Sequence, residues 1–333
     1  MRARLSFALL LGVAWAVAAG AQVDQRPGTD GVIGRDYKIN RDYPLQFVLE
    51  KVEYTIDRVR FGEQSRACKA EEKLMVVRFS VQNATKEEAL FRYDAIAMTA
   101  VDDQQQNYEY RGEYAADGTG QVVDLNLKPA QKIRCYTVVV VPAKARINKL
   151  MVLPYEDDAP VIRYALDGKI GRLPEPHADP DDKSGLTPRD ELSAKVGEWQ
   201  TIGLFDVRVD ASAPSTETIA DTELPEDKAW HAITLTLRNA TPEVQVVNGH
   251  TLAGVLALAD ETELDEPLRV MPKAPKMADF QVPPGAERAV RLFFPLGKGD
   301  KPAMLRVRGL CIVDATEGES RPVAVTLPEP PAG

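Results

Sequence analysis

The chain has 333 residues, of which 27% are charged and 44% hydrophobic, and its 41 Lys+Arg against 50 Asp+Glu give a formal net charge of −9. That balance offers no basic surface to nucleic acid or an anionic membrane, so neither is expected as a partner. Three Cys and three His exclude a dense disulfide framework and leave few side chains for metal or acid–base chemistry.

The chain opens on MRARLSFALLLGVAWAVAAGAQ, where Arg2 and Arg4 precede an apolar run and small residues at Ala19-Gly20-Ala21. Residues 1–21 therefore read as a secretory signal peptide, with Gln22 as the first mature residue. The apolar run is shorter than the roughly 20 residues a span needs, and no later stretch reaches that length. An exported chain, periplasmic or extracellular, is expected, with the charge of the mature form at −11 once the two arginines are removed. Residues 22–40 read as an unstructured N-terminal segment.

From residue 41 to 168, short runs rich in β-branched and aromatic residues follow one another, near 45–60, 73–83, 89–101, 107–114, 121–127, 132–141, 147–153 and 161–166. Turn signals separate them and none has continuous helical periodicity, which is the spacing of an all-β sandwich. Residues 169–193 are expected to be an extended linker. Its centre, PEPHADPDDKSGLTPRDE (174–191), carries four prolines and six acidic against two basic side chains, so the two flanking domains should move independently. A second series, near 196–211, 229–239, 251–259, 278–282, 287–294, 303–312 and 321–327, fills residues 194–328, and residues 329–333 form a tail.

The second series repeats the first. RFSVQNAT (78–85) matches TLTLRNAT (234–241) at an offset of 156 residues, with Val77, Phe79 and Val81 facing Ile233, Leu235 and Leu237. LKPAQKIRCYTVVVVP (127–142) matches VPPGAERAVRLFFP (282–295), and Leu150 matches Leu305, at an offset of 155. Three blocks in one order at nearly constant spacing indicate a duplication. Asn-Ala-Thr suits a strand-to-turn exit, because Asn bonds its own backbone and tolerates left-handed geometry. The tripeptide is also an Asn-x-Thr glycosylation sequon.

Val196-Gly197-Glu198, then Leu235 to Asn239, then Val282 to Gly285 with a strand closing on Pro295, resemble the bacterial secreted telokin-like domains. The first copy matches through Phe79 to Asn83 and Leu127 to Pro142 and lacks the Val-Gly-Glu. The resemblance implies two tandem immunoglobulin-like β-sandwich domains, joined here by an acidic Pro-rich linker. That family has no general activity, so no catalytic residue is carried over.

Chemistry-bearing residues are sparse. His177 falls in the acidic linker, His250 in the turn VNGHT, and His231 on the inward parity of its strand, as a satisfied rim or core histidine. No G-x-S-x-G or H-E-x-x-H pattern is present. Asp179, Asp181 and Asp182 lack the order of a calcium loop, and Met271 and Met277 read as packing residues, so no metal site and no cofactor are expected. NYEYRGEY (107–114) is the segment that invites a ligand. Tyr108, Tyr110 and Tyr114 share one parity with Arg111 beside them, an arrangement that could stack on a sugar or peptide or could be cross-strand packing. Cys68 and Cys135 are candidates for a structural disulfide closing a long loop, worth about 4 kcal/mol by chain entropy, and Cys311 is expected to be a buried thiol. The expected function is an exported, non-enzymatic binding or scaffolding protein with an unknown protein or glycan partner. The alternatives are a carbohydrate-binding or adhesion protein using the aromatic edge, and an envelope enzyme.

Overall fold

The computed structural model describes residues 28–39, 45–92, 95–110, 112–154, 160–219, 222–248, 251–265, 268–270, 279–313 and 316–328, and every regular element among them is a β-strand. In the N-terminal half these are β1 (Gly28–Gly31), β2 (Asp36–Lys38), β3 (Leu45–Thr55), β4 (Val59–Phe61), β5 (Gln64–Arg66), β6 (Glu72–Asn83) and β7 (Ala89–Arg92). There follow β8 (Ile96–Asp102), β9 (Asn107–Glu109), β10 (Ala115–Ala116), β11 (Asp124–Leu127), β12 (Lys132–Pro142), β13 (Ile147–Pro154) and β14 (Val161–Ala165). One sheet runs β1-β14-β13-β8-β9 and the other β10-β12-β6-β3-β2, with β7–β11 and β4–β5 as separate pairs. Strict alternation decides which side chains meet between the sheets: Met75, Val77, Phe79 and Val81 of β6 point inward with Val139 and Val141 of β12 against Met98, Leu150 and Tyr164. In β3 the inward set shifts from Leu45, Phe47 and Leu49 to Val52 and Tyr54, because a bulge between Leu49 and Lys51 switches the parity. Each buried Phe, Leu or Val side chain contributes about 1.5–3 kcal/mol.

The C-terminal half comprises β15 (Leu192–Lys195), β16 (Trp199–Ile202), β17 (Phe205–Ser215), β18 (Lys228–Asn239), β19 (Gln245–Val247), β20 (Leu252–Leu258) and β21 (Glu263–Leu264). It continues with β22 (Leu268–Val270), β23 (Phe280–Val282), β24 (Glu287–Gly297), β25 (Pro302–Val313), β26 (Thr316–Glu319) and β27 (Val323–Thr326). Its sheets run β15-β27-β25-β20-β21, with β26 on β25, and β16-β17-β18-β24-β22. The order β14-β13-β8 of the first half thus recurs as β27-β25-β20, and β12-β6-β3 as β24-β18-β17. Even the bulge recurs: Leu49 pairs with Phe79 and Val209 with Leu235, and each register slips immediately afterwards.

Both Asn-Ala-Thr sites are buried turn clasps. Asn83 Nδ2 donates to the carbonyls of Glu87 (2.7 Å) and Leu127 (2.8 Å), while its Oδ1 accepts from the Thr85 backbone N–H and hydroxyl, both at 2.8 Å. Asn239 repeats the pattern with Glu243 (2.6 Å), Val282 (2.8 Å) and the N–H (2.9 Å) and hydroxyl (2.7 Å) of Thr241. With neither asparagine exposed and both amide hydrogens of each committed, the turn reading accounts for the tripeptide and the sequon does not.

Two segments expected to be unstructured are ordered. Within 22–40, residues 28–39 supply an edge strand to each sheet: β1 pairs in parallel with β14, and β2 pairs with β3. Ile39 is buried and Tyr37 meets Tyr164 edge-on. The expected linker is a folded strap. Gly171 bonds across Val52 and Tyr54 of β3, and Leu173 and Ala178 join the first core with Leu166 and Ile170. Asp182 supplies what an apolar face does not, accepting from the backbone N–H groups of Ser184, Leu186 and Thr187 and from the Ser184 hydroxyl. Burial alone would raise its pKa, but those hydrogen bonds outweigh it and hold the carboxyl well below the usual range.

The two halves also touch directly rather than only through the strap. Arg58 donates to Asp206 Oδ1 at 2.5 Å and to the Gly203 carbonyl at 3.1 Å, and the Ala70 N–H donates to the Glu319 carbonyl at 2.9 Å. Arg238 bonds the other oxygen of Asp206 at 2.8 Å. Burial opposes the Asp206 charge, yet the two guanidiniums outweigh it and lower its pKa. The expectations placed on residues 1–27 and 329–333, Arg111, His250, Met271, Met277 and the Cys311 side chain lie outside the described residues.

Candidate functional site

The tyrosine segment does not form an exposed platform. Only Asn107–Glu109 is strand, and a left-handed turn at Gly112 (φ 82°) breaks the parity that placed the three rings together. Tyr114 is fully buried, edge-on to Phe79 at 5.3 Å and stacked between Phe91 (5.8 Å) and Tyr110 (5.6 Å), and its hydroxyl accepts from the Ile96 N–H. Tyr110 and Tyr108 are half-buried against the same core, and the Tyr108 hydroxyl donates to Asp102 at 2.9 Å. These residues serve cross-strand packing.

Cys68 and Cys135 carry no disulfide. Cys135 pairs with Phe79 in mid-sheet, whereas Cys68 precedes Glu72, the first residue of β6. Seven residues of strand separate Glu72 from Phe79 by about 23 Å, more than the four residues back to Cys68 can recover, so the sulfurs cannot approach bonding distance. Burial pushes both thiols up to about 12, which makes them poor nucleophiles. His231 is buried, with Nε2 at 2.7 Å from Ser212 Oγ, and burial lowers its pKa, so the imidazole is neutral near pH 7. His177 lies in the folded strap, with Nδ1 at 3.8 Å from Asp57. Among the described residues no cluster of three or more His, Cys, Asp or Glu is arranged to hold a metal ion.

A groove of about 610 Å³ lies on the outer face of the β12-β6-β3 sheet. Its floor follows from the same alternation as the core: Val76 and Tyr136 point outward and are covered on one side by Phe61 of the β4–β5 hairpin. The Phe61 and Tyr136 rings lie 5.5 Å apart, and the Tyr136 hydroxyl donates to the Arg60 carbonyl at 2.5 Å. The turn at Asp117–Gly120 closes one wall. Gly120 has φ 70°, a conformation that favours glycine, and a Cβ there would press at 3.3 Å on the Arg60 side chain and the Tyr136 hydroxyl.

Four arginines, Arg58, Arg60, Arg78 and Arg172, line this groove against two carboxylates, Glu53 and Asp117. Arg78 bonds Glu53 at 2.7 Å and Asp117 at 3.0 Å and packs over the Tyr136 ring at 5.7 Å. Burial would lower the Arg78 pKa, but the Glu53 contact dominates and raises it, while Glu53 is lowered by Lys51 and Arg78 against its own desolvation. Arg60 and Arg172 are exposed. Sequence reasoning passed over these residues, although Arg78 sits in an otherwise apolar strand on the outward parity, a position that calls for something outside the core to explain it.

No protein-family model and no curated protein matches the sequence. Among solved structures, the chain is similar to an uncharacterized β-sandwich protein from Clostridium difficile 630, at 12% identity over 43% of this chain and 97% of that one, with a TM-score of 0.34. It is also similar to a candidate lipoprotein from Bacillus subtilis, at 10% identity over 61% of this chain and 72% of the other, with a TM-score of 0.27. Among the described residues no helix is long and apolar enough to cross a membrane.

Proposed function

We propose that the chain is an exported, non-enzymatic binding or scaffolding protein built from two immunoglobulin-like sandwiches in tandem, and that an acidic segment of a protein partner docks in the arginine-lined groove. The groove carries this reading: in a chain of net charge −9, four guanidiniums line one aromatic-floored concavity, and while Arg58 is paired with Asp206 and Arg78 with Glu53 and Asp117, Arg60 and Arg172 stand exposed at its rim. Guanidinium groups recognise carboxylates in forked geometry, and Tyr136 offers contact area beside them. The repeated sheet order, the repeated bulge and the two asparagine clasps support duplication of one domain. Export rests on the leader-like residues 1–21.

A fluorescent oligoglutamate peptide titrated into the mature protein tests the groove. Binding should weaken with salt and fall at least tenfold in the double variant Arg60→Glu/Arg172→Glu, whose positions are exposed and should leave the melting temperature unchanged. Equal affinity in wild type and variant would remove the groove from the reading. N-terminal sequencing of the protein from its host should begin at Gln22.

A further inference from the structure

Where the two halves meet, a second, more enclosed pocket of about 280 Å³ is lined by both of them and by the strap. Ile56, Leu192 and Trp199 give it apolar walls, and Arg321 and His177 are among its polar groups. Arg321 is 6% exposed. Its Nη2 donates to the Ala70 carbonyl, but Nε and Nη1 are buried with no hydrogen-bond partner, and so is Nδ1 of His177. Buried charge without a bonded counter-charge is among the costliest arrangements in a protein interior, and a bound oxyanion would relieve it. Among the described residues no carboxylate bonds Arg321. Glu71 and Asp190 act on Arg321 electrostatically without an ion pair to it, and the neighbouring Cys68 thiol, pushed up to about 12 by burial, stays neutral.

We propose that this junction pocket is a binding site for a small carboxylate, whose anionic end pairs with Arg321 and whose apolar body lies against Ile56, Leu192 and Trp199. A monoanion fits better than a phosphate dianion, because one guanidinium faces it and the Asp57 carboxylate stands 3.8 Å from His177. Since residues of both halves line the pocket, the ligand also joins them, and its binding should raise the stability of the whole chain in proportion to the logarithm of its concentration.

The test is thermal unfolding of the full mature chain with acetate, butyrate, benzoate, inorganic phosphate and chloride at matched ionic strength, together with amide-resolved NMR titration of the wild type. Butyrate and benzoate should shift the melting temperature and the junction resonances saturably, acetate less, and chloride not at all. Arg321→Met should abolish the response while melting no lower than unliganded wild type, because it removes an unpaired buried charge; His177→Gln should weaken the response. Should Arg321→Met fail to fold, the wild-type titration and His177→Gln still decide. Saturation by phosphate alone would overturn the carboxylate assignment. The same response to every salt, or none, would overturn the site.

Discussion

Lys73 should make the stability of this fold rise with pH in a window where most proteins gain nothing. Its side chain is 1% exposed, its ammonium donates to the carbonyls of Ala145 (3.0 Å) and Leu186 (2.8 Å), and it lies 4.2 Å from the centre of the Tyr54 ring. Burial pushes its pKa from 10.5 down to about 8, against a smaller opposing pull from Asp182. Between pH 8 and 10.5 the unfolded chain holds this proton and the folded chain has released it, so stability is lowest below pH 8 and climbs as pH rises through the window. The gap corresponds to about 3 kcal/mol. Cys68 and Cys135, held up to about 12, work in the opposite direction above pH 9. The comparison must therefore be made between wild type and Lys73→Met, in which the thiols cancel. Urea denaturation at pH 7, 8, 9 and 10 should show the difference, wild type minus variant, climbing by roughly 1.4 kcal/mol per pH step above 8. At pH 7 the variant loses two hydrogen bonds but also sheds a buried charge, so it should lie within about 2 kcal/mol of wild type. A difference that stays flat from pH 7 to 10 would refute the buried, desolvated placement of Lys73.

Asn83→Ala and Asn239→Ala should each destabilise by about 3 kcal/mol, since each strips four hydrogen bonds made by a fully buried side chain, and intact mass from a glycosylating host should show both sites unmodified. Asp206→Asn should cost about 3–5 kcal/mol by leaving Arg58 and Arg238 uncompensated, and should expose the junction to limited proteolysis. Tyr114→Ala should cost about 3–5 kcal/mol in denaturant titrations while leaving oligoglutamate affinity unchanged in the folded fraction. Ala130 sits at φ 62°, where its counterpart Gly285 sits at φ 70°, so Ala130→Gly should stabilise by about 0.5–1 kcal/mol in the same assay.

The strands were legible because β6, β12, β18 and β24 are long apolar-rich runs that pair without a break in register, and the repeated Asn-Ala-Thr marked the same turn in each half. Reading failed wherever order came from something other than an apolar stripe. The strap is held by Asp182, Lys73 and backbone pairing to β3, so its composition resembled a solvated spacer. The edge strands β1 and β2 are three or four residues long and gain their order from the strands they border, β14 far along the chain for β1 and the adjacent β3 for β2. For Tyr108, Tyr110 and Tyr114, of the two readings the rings follow the packing one, and the shared parity ends with the strand at Glu109, before Gly112. The groove arginines belong to β6, the β4–β5 hairpin and the strap, which become neighbours only once the sheet has formed.

The repeat also separates what the fold requires from what it merely permits. Register places Phe79 opposite Cys135 and Leu235 opposite Val290, so each position in one half has a counterpart in the other. Where the halves agree, as at Asn83 and Asn239 or at the two bulges, the residue closes a turn or turns a strand, and the chemistry is structural. Where they differ, the sandwich has shown that it folds with either residue. Arg78 is matched by Thr234, Tyr136 by Arg291 and Lys73 by Ala229. Lys73 is accounted for by the strap, whose Leu186 carbonyl it bonds. Arg78 bonds Glu53 and Asp117, and Tyr136 bonds the Arg60 carbonyl, contacts made to the hairpin and turn that wall the groove. The pairing of Arg78 with Tyr136 therefore sets the first half apart from the second, and under the function proposed above the groove it helps to build is where a partner would tell the two halves apart.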